Sequence, residues 1–467
     1  MNSDIGSNKA MPAIPKVRLI AVTKPREYAE NIPELVKEAV QRLGAAGCEV
    51  TGGDIVSDEA GVIAETSRAV AEKADLIVYL IGTWILAPQV VSSVRALKVP
   101  FCLWSLTTIA NFALGGATVA KYTLQEMGAR FKFIAGLPEE DCVIEAIAKR
   151  ARAAAVAARL AGAKFGEIGG KSMGMYNATI DEFYWKQVAG FDLPHYDTYW
   201  VIKNMERVPD EEAREVLARV KETVGHIVSE VSETGETLND EDLLVQCKIY
   251  LALKKIVEDE GLDAIGNKCQ PELSSSACGL GWAACLSHSL LNDDGIMCAC
   301  EADMPSCVTM FILNRLTGQT VFFGDLNSVV REKGAIRLIN CGSGPLSMAR
   351  DRDSIALWPV PVMMGYPGTS RGATTSFPLR PGLVTIAKLG GGKGTARIHM
   401  ATGTVLDMPL EPRGLFPERW PQAVIRLDGD IDSFLEKAIG QHYLLVYGDW
   451  KPELAALCDI LGVKADI

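Results

Sequence analysis

The sequence predicts an α/β fold: two parallel-sheet domains followed by a β-rich, barrel-like C-terminal domain. Three observations carry that prediction. From Val17 onward, short β-branched apolar runs alternate with longer stretches of helical periodicity. A second alternation of the same kind begins at Lys164. After about Gly334, Gly, Pro and short strand-like runs take over. Strands separated by helices of this length imply βαβ crossovers and parallel sheets. The chain has 467 residues, 48% hydrophobic and 22% charged, enough to bury cores of this size.

The first domain is expected over residues 14–162. Residues 17–23, 75–82, 99–105 and 130–135 read as buried strands, and 31–46, 59–74 and 111–127 as the helices between them. An Ala-rich helix over 139–161 closes the domain. The second domain, over 163–333, takes strands at 164–169, 262–266, 295–300 and 320–324. Its longest helix covers 240–260, where Leu244, Cys247 and Leu251 keep one apolar stripe. The third, over 334–467, has short strands at 357–362, 383–387, 423–427 and 443–447.

Composition narrows the function. The formal charge of −11 opposes a nucleic-acid or anionic-membrane surface, which needs clustered positive charge. No apolar run approaches the roughly 20 residues of a membrane helix, and residues 1–13 lack an apolar signal core. Twelve cysteines over 467 residues are too dilute for a disulfide scaffold, so a reducing cytoplasm is expected.

The chemistry concentrates at 298–327. Glu301 ends a buried strand, a helix follows with Pro305 in its first turn and Gly318 at its end, and Asp325 ends the next strand. If those strands are parallel neighbours, both carboxylates emerge at the carboxyl edge where open α/β sheets bind ligands. Two acids held together repel unless a cation neutralises them, and oxygen donors favour Mn²⁺ or Mg²⁺. The alternative is structural: Glu301 caps the helix and Asp325 opens a turn. Asp303 orients Glu301 or caps the helix. Of five His, His226 reads as solvent-facing in a charged helix and His288 as packed; His442, just before an apolar strand, reads on its own as a structural, satisfied His, and as a third ligand if the last domain folds over the sheet edge. Residues 389–395 lack the Gly-Lys-Ser/Thr ending of a phosphate loop and read as a turn, and no Gly-x-Gly-x-x-Gly supports a dinucleotide. Cys298, Cys300 and Cys307 lack paired CxxC spacing and read as packing thiols.

At these residues the sequence resembles the L-fucose isomerase family, with the L-arabinose isomerases as more distant relatives. Cys300-Glu-Ala-Asp-Met-Pro-Ser-Cys-Val-Thr-Met310 looks like the family's first acidic strand end, and Phe322-Phe-Gly-Asp325, whose acid lies 24 residues on, like its second. Gln441-His442 resembles its Asn-His segment, Lys171-Ser-Met-Gly-Met175 its Ser-Met-Gly segment, and Gly82-Thr-Trp84 the Trp segment that a neighbouring subunit lays over the sugar. The chain is shorter than bacterial fucose isomerases, and Gln441 stands where the family has Asn. The resemblance implies two flavodoxin-like domains with a β-rich third, and a homo-oligomer, trimer or hexamer. It implies a Mn²⁺-dependent aldose–ketose isomerase (Mg²⁺ or Co²⁺ as alternatives) acting on a pentose or 6-deoxyhexose through a cis-enediolate. Glu301, Asp325 and His442 would be metal ligands, Glu301 and Asp325 also the acid/base pair, and Trp84, Met175, Gln441 and Asn327 would contact sugar. The competing expectations are an epimerase or aldolase of similar chemistry, and a non-catalytic sugar-binding protein.

Overall fold

The structure, a computed structural model, describes residues 12–24, 31–95, 97–232, 234–361, 368–410 and 420–467. Most of the N-terminal stretch and Val362, the last residue of one expected strand, lie outside these. The chain divides into two compact units, one formed by Ala13–Arg159 with Pro452–Val463 and the other mainly by Leu160–Lys451 with Lys464–Ile467. Among the described residues no helix is long and apolar enough to cross a membrane.

The first unit holds β1 (Lys16–Val22), α1 (Ile32–Ala45), β2 (Glu49–Val56), α2 (Glu59–Ala71), β3 (Leu76–Ile81), α3 (Pro88–Val94), β4 (Phe101–Ser105), α4 (Ala113–Glu126), β5 (Lys132–Ala135) and α5 (Asp141–Leu160). Its sheet is parallel throughout, in the order β2-β1-β3-β4-β5, the doubly wound order of flavodoxin-like folds. Central β3, Leu-Ile-Val-Tyr-Leu-Ile, is buried along its whole length, as a strand covered on both faces must be. In α1 the buried Ile32, Val36, Ala39 and Leu43 fall on one face toward the sheet. Edge strand β2 has no such signature: it is mostly exposed, and it needs glycine at Gly52, where φ is +85° and a Cβ would come within 2.4 Å of the Leu19 carbonyl.

The second unit opens with β6 (Phe165–Ile168), α6 (Glu182–Val188), β7 (His195–Tyr196), α7 (Thr198–Met205) and α8 (Asp210–Thr223). Short β8 (His226–Ile227) and the hairpin of β9 (Glu230–Val231) and β10 (Glu236–Thr237) precede α9 (Asp240–Glu260). His226 is exposed as expected, but on β8 rather than in a helix. Next come β11 (Ala264–Asn267), α10 (Cys285–Asp293), β12 (Cys298–Cys300) and α11 (Met304–Thr317). Strands β12-β11-β6-β7 form a second parallel sheet in the same winding sense, shortened by one strand.

The remaining strands are β13 (Phe322–Val330), β14 (Ala335–Ile339), β15 (Ala356–Pro359), β16 (Ala373–Ser376), β17 (Gly382–Gly390), β18 (Arg397–Val405), β19 (Gln422–Leu427), β20 (His442–Tyr447) and β21 (Lys464–Asp466), with α12 (Ile431–Lys437) before β20 and α13 (Lys451–Leu461) before β21. The order β17-β20-β13-β14-β19-β18 is antiparallel and closes on itself through β17–β18 pairing, so the ring has no free edge; β21 adds outside β18. Strands β16-β15-β8 make a small third sheet. The ring begins at Phe322, so residues 320–324 are not part of the parallel sheet as expected. Helix α11 packs against β6, β11 and β12 on one side and against β17 and β20 on the other. Buried on nearly all sides, it carries apolar residues all round, Val308, Met310, Phe311, Ile312 and Leu313 among them.

Candidate metal centre

The site is assembled where the parallel sheet, α11 and the barrel meet. The chain leaves β12 through Glu301 and Ala302, which have φ of 62° and 50°. Left-handed backbone is costly for side-chain-bearing residues and is retained where the surroundings or function demand it. Neighbouring Gly266 on β11 makes room for this turn: a Cβ there would lie 2.7 Å from the Met304 sulfur and 3.1 Å from the Ala302 Cα. Asp303 then caps α11, accepting the Ser306 amide at 2.8 Å, and Gly318 at φ 67° ends the helix. The capping residue is therefore Asp303, and Glu301 is left free.

His442 opens β20, and Asp325 stands directly opposite it on β13. The His442 Nε2 lies 3.3 Å from Glu301 Oε2 and 3.3 Å from Asp325 Oδ1, while Nδ1 lies 2.6 Å from Asp303 Oδ2. The Phe323 ring packs on the imidazole at 4.4 Å. On β17, the strand beside β20, Lys388 donates to Asp303 Oδ2 and to Ser306 Oγ, both at 2.5 Å. Asp303, Lys388 and His442 are wholly buried, whereas the Asp325 side chain is 33% exposed. Any opening to solvent is therefore on the carboxylate side.

The charges are strongly coupled. Burial alone would raise Asp303, but the Lys388 ammonium and the His442 hydrogen bond hold it well below the usual carboxylate range. Burial alone would lower His442, yet Asp303, Asp325 and Glu301 hold it well above its usual value. Lys388 is pushed down by burial against the pull of Asp303. With Nδ1–H donated to Asp303, the His442 Nε2 is aimed at two carboxylates. Three acceptors facing one point need a positive charge, either a proton on Nε2 or a cation. Two carboxylate oxygens and an imidazole suit a hard or borderline divalent ion such as Mn²⁺. A carboxylate on the far ring nitrogen is the usual way a ligating imidazole is oriented.

A second donor set touches the first. The sulfurs of Cys300 and Cys341 and a carboxylate oxygen of Glu301 all lie within 4.8 Å of one another, a cluster able to share a metal ion.

Met175 and Gln441 belong to the same neighbourhood: Gln441 Nε2 is 2.7 Å from the Met175 sulfur and 3.4 Å from His442 Nε2, and its Oε1 accepts from Asn177 at 2.9 Å. Asn327 is exposed on β13, next to a register shift. Trp84 belongs to the other unit, 40% exposed, its ring against Gly115. The expectation that Glu301 and Asp325 end parallel neighbours is corrected. Asp325 lies within a barrel strand, and what joins the two acids is His442, because antiparallel pairing sets it opposite Asp325 while α11 carries the turn at Glu301 to the same place. The sequence reading missed Lys388 and Asn177. A lysine set between the apolar Ile386, Ala387 and Leu389 was the available signal for Lys388.

No family model matches the chain. It is similar to the sulfoquinovose isomerase of Alkalicoccus urumqiensis, 26% identical over 395 residues that cover 82% of this chain and 84% of that one. The sulfoquinovose isomerases of Priestia aryabhattai (24% over 402 residues; 85% and 86%) and Clostridium sp. strain MSTE9 (27% over 359 residues; 76% of each) are similar over most of the chain as well. A solved carbohydrate transporter from Acidothermus cellulolyticus 11B is 13% identical over 66% of this chain and 89% of its own, with a TM-score of 0.18, too low to carry an argument. The relatives support a sugar isomerase family. By class, the chain is an aldose–ketose isomerase, an intramolecular oxidoreductase.

Proposed function

We propose that the chain is a metal-dependent sugar isomerase of the L-fucose isomerase type, with Glu301, Asp325 and His442 holding one divalent cation, Mn²⁺ in the first instance. The observation that carries this reading is the convergence of Glu301 Oε2 and Asp325 Oδ1 on a His442 Nε2 whose other nitrogen is tied to Asp303. Aldose–ketose interconversion moves a proton between C1 and C2 of the open-chain sugar through a cis-enediolate. A bound divalent cation would supply Lewis-acid stabilisation of the charge that develops on O1 and O2. Glu301 and Asp325 are the acid/base pair: one takes the proton from carbon and returns it to the neighbouring carbon, while the other serves the sugar oxygens. Asp303 and Lys388 hold His442 in one tautomer and orientation. Gln441 and Met175 contact the sugar from the His442 side, and Asn327 from the exposed part of β13. Trp84 is assigned to the sugar site of a neighbouring copy in a trimer or hexamer.

The relatives' sulfoquinovose makes a sulfonated aldose the first substrate to test, with pentoses and unsubstituted 6-deoxyhexoses beside it. With Mn²⁺ present and folding verified, Glu301→Gln and Asp325→Asn should each cut isomerisation by about 100-fold or more, the weight of a general acid/base. Near-normal turnover in both variants would reject the assignment.

A further inference from the structure

Successive side chains of a strand point to opposite faces, so Cys300 and Glu301 would ordinarily look away from each other. The left-handed backbone at Glu301 and Ala302 breaks that alternation, and the Cys300 sulfur, the Cys341 sulfur and a Glu301 oxygen converge within 4.8 Å. The two thiols come from different sheets: Cys300 ends β12, and Cys341 follows β14 of the barrel. Cys300 is buried and Cys341 partly exposed, while the Cys285 sulfur lies behind, 4.0 Å from the Cys341 carbonyl. The isomerisation assigned above uses none of these thiols.

We propose that Cys300, Cys341 and Glu301 form a binding site for a thiophilic divalent cation of the Zn²⁺/Cd²⁺ class, and that this ion switches the isomerase off by engaging Glu301. Two thiolates select such ions over Mn²⁺ or Mg²⁺, and two sulfurs with one oxygen leave a fourth tetrahedral position to water. Each thiol releases its proton to solvent as its sulfur coordinates, and nothing is oxidised. The inhibitory consequence rests on Glu301 serving the hard-metal site. Drawn wholly to the thiols, Glu301 leaves that site a ligand short; bridging both ions through one oxygen each, it has no uncoordinated oxygen left, and two cations lower its basicity toward the substrate proton. Either way turnover stops.

The test uses the full chain, stripped of metal, with the exposed Cys142 and Cys278 replaced by serine to remove other accessible thiols. Titration with CdCl₂ should produce the ultraviolet sulfur-to-cadmium charge-transfer band, and the band should be lost in Cys341→Ser and in Cys300→Ser. Cd²⁺ at the concentration that saturates the band should abolish Mn²⁺-supported turnover, whereas Cys341→Ser, normalised to its own rate without Cd²⁺, should keep turning over. The site is refuted if the band survives both replacements. The inhibitory role is refuted if Cys341→Ser loses turnover at the same Cd²⁺ concentration. If no sugar is turned over at all, the proposed function falls while the band still decides the thiol site.

Discussion

A lysine with no exposed surface is tolerated only where its charge is met, and Lys388 meets Asp303 at 2.5 Å with both side chains buried. Removing Lys388 takes away the ammonium that meets Asp303 and leaves the buried carboxylate only its hydrogen bonds to His442 and the Ser306 amide. Lys388→Met should therefore cost about 3–5 kcal/mol, the range for a broken buried pair, read by denaturant unfolding. The double variant Lys388→Met with Asp303→Asn should regain part of that loss, since neither charge then remains. A single variant as stable as the parent would contradict the pairing. At this scale the sequence was partly legible. Glu301, Asp325 and His442 stood out through the resemblance and the paucity of His. Asp303 was visible as a helix cap or a support for Glu301, because a cap is a local pattern. Its bonds to His442 and Lys388, 139 and 85 residues away, leave no local trace.

Among elements, β11, β12 and α11 act together on Glu301. Gly266 is the one residue type β11 can carry where the 301–302 turn and Met304 press closest. Gly266→Ala should destabilise the chain by roughly 1–3 kcal/mol, as overpacking does, and should depress turnover further by shifting Glu301. Thermal midpoint and turnover measured together check this; a variant normal in both would remove the turn from the account. Buried β1, β3 and β4 and helix α9 could be read directly from apolar runs and a helical stripe. Strand β2 could not, because paired glycines and an exposed edge replace the apolar signal. Strand β13 was recognised as a strand but given the wrong sheet. An apolar run reports that a strand is buried, not whether its neighbours run parallel or antiparallel.

Across the whole molecule, two other histidines are buried elsewhere in the fold, His288 on α10 beside Asn267 and His399 on barrel strand β18. Burial holds His288 and His399 neutral, with pKa values lowered from 6.5 to about 4. The unfolded chain therefore binds more protons than the folded one between those values. The contribution of these two histidines is level above pH about 6.5 and falls as the pH drops toward 4, whereas His442, held well above its usual value, adds stability that is lost as the pH rises. Urea midpoints between those two pH values will show the loss at His288 and His399 as a slope, and His288→Gln should flatten it; a profile that rises on acidification over that range would contradict the burial argument. The division into parallel sheets followed by a β-rich region could be read from the rhythm of strands and helices. The join between them could not, since the barrel takes its first strand from before residue 334, where the composition changes.

The most direct test of the cation-centred site follows a sulfonated aldose by NMR in D₂O, with protein stripped of metal and then resupplied with Mn²⁺, and with pentoses and 6-deoxyhexoses in parallel. Deuterium is expected only at C2 of the aldose or C1 of the ketose, arising with Mn²⁺ and absent from the stripped protein. Exchange at full rate without metal, or no exchange in any of these sugars, would contradict it.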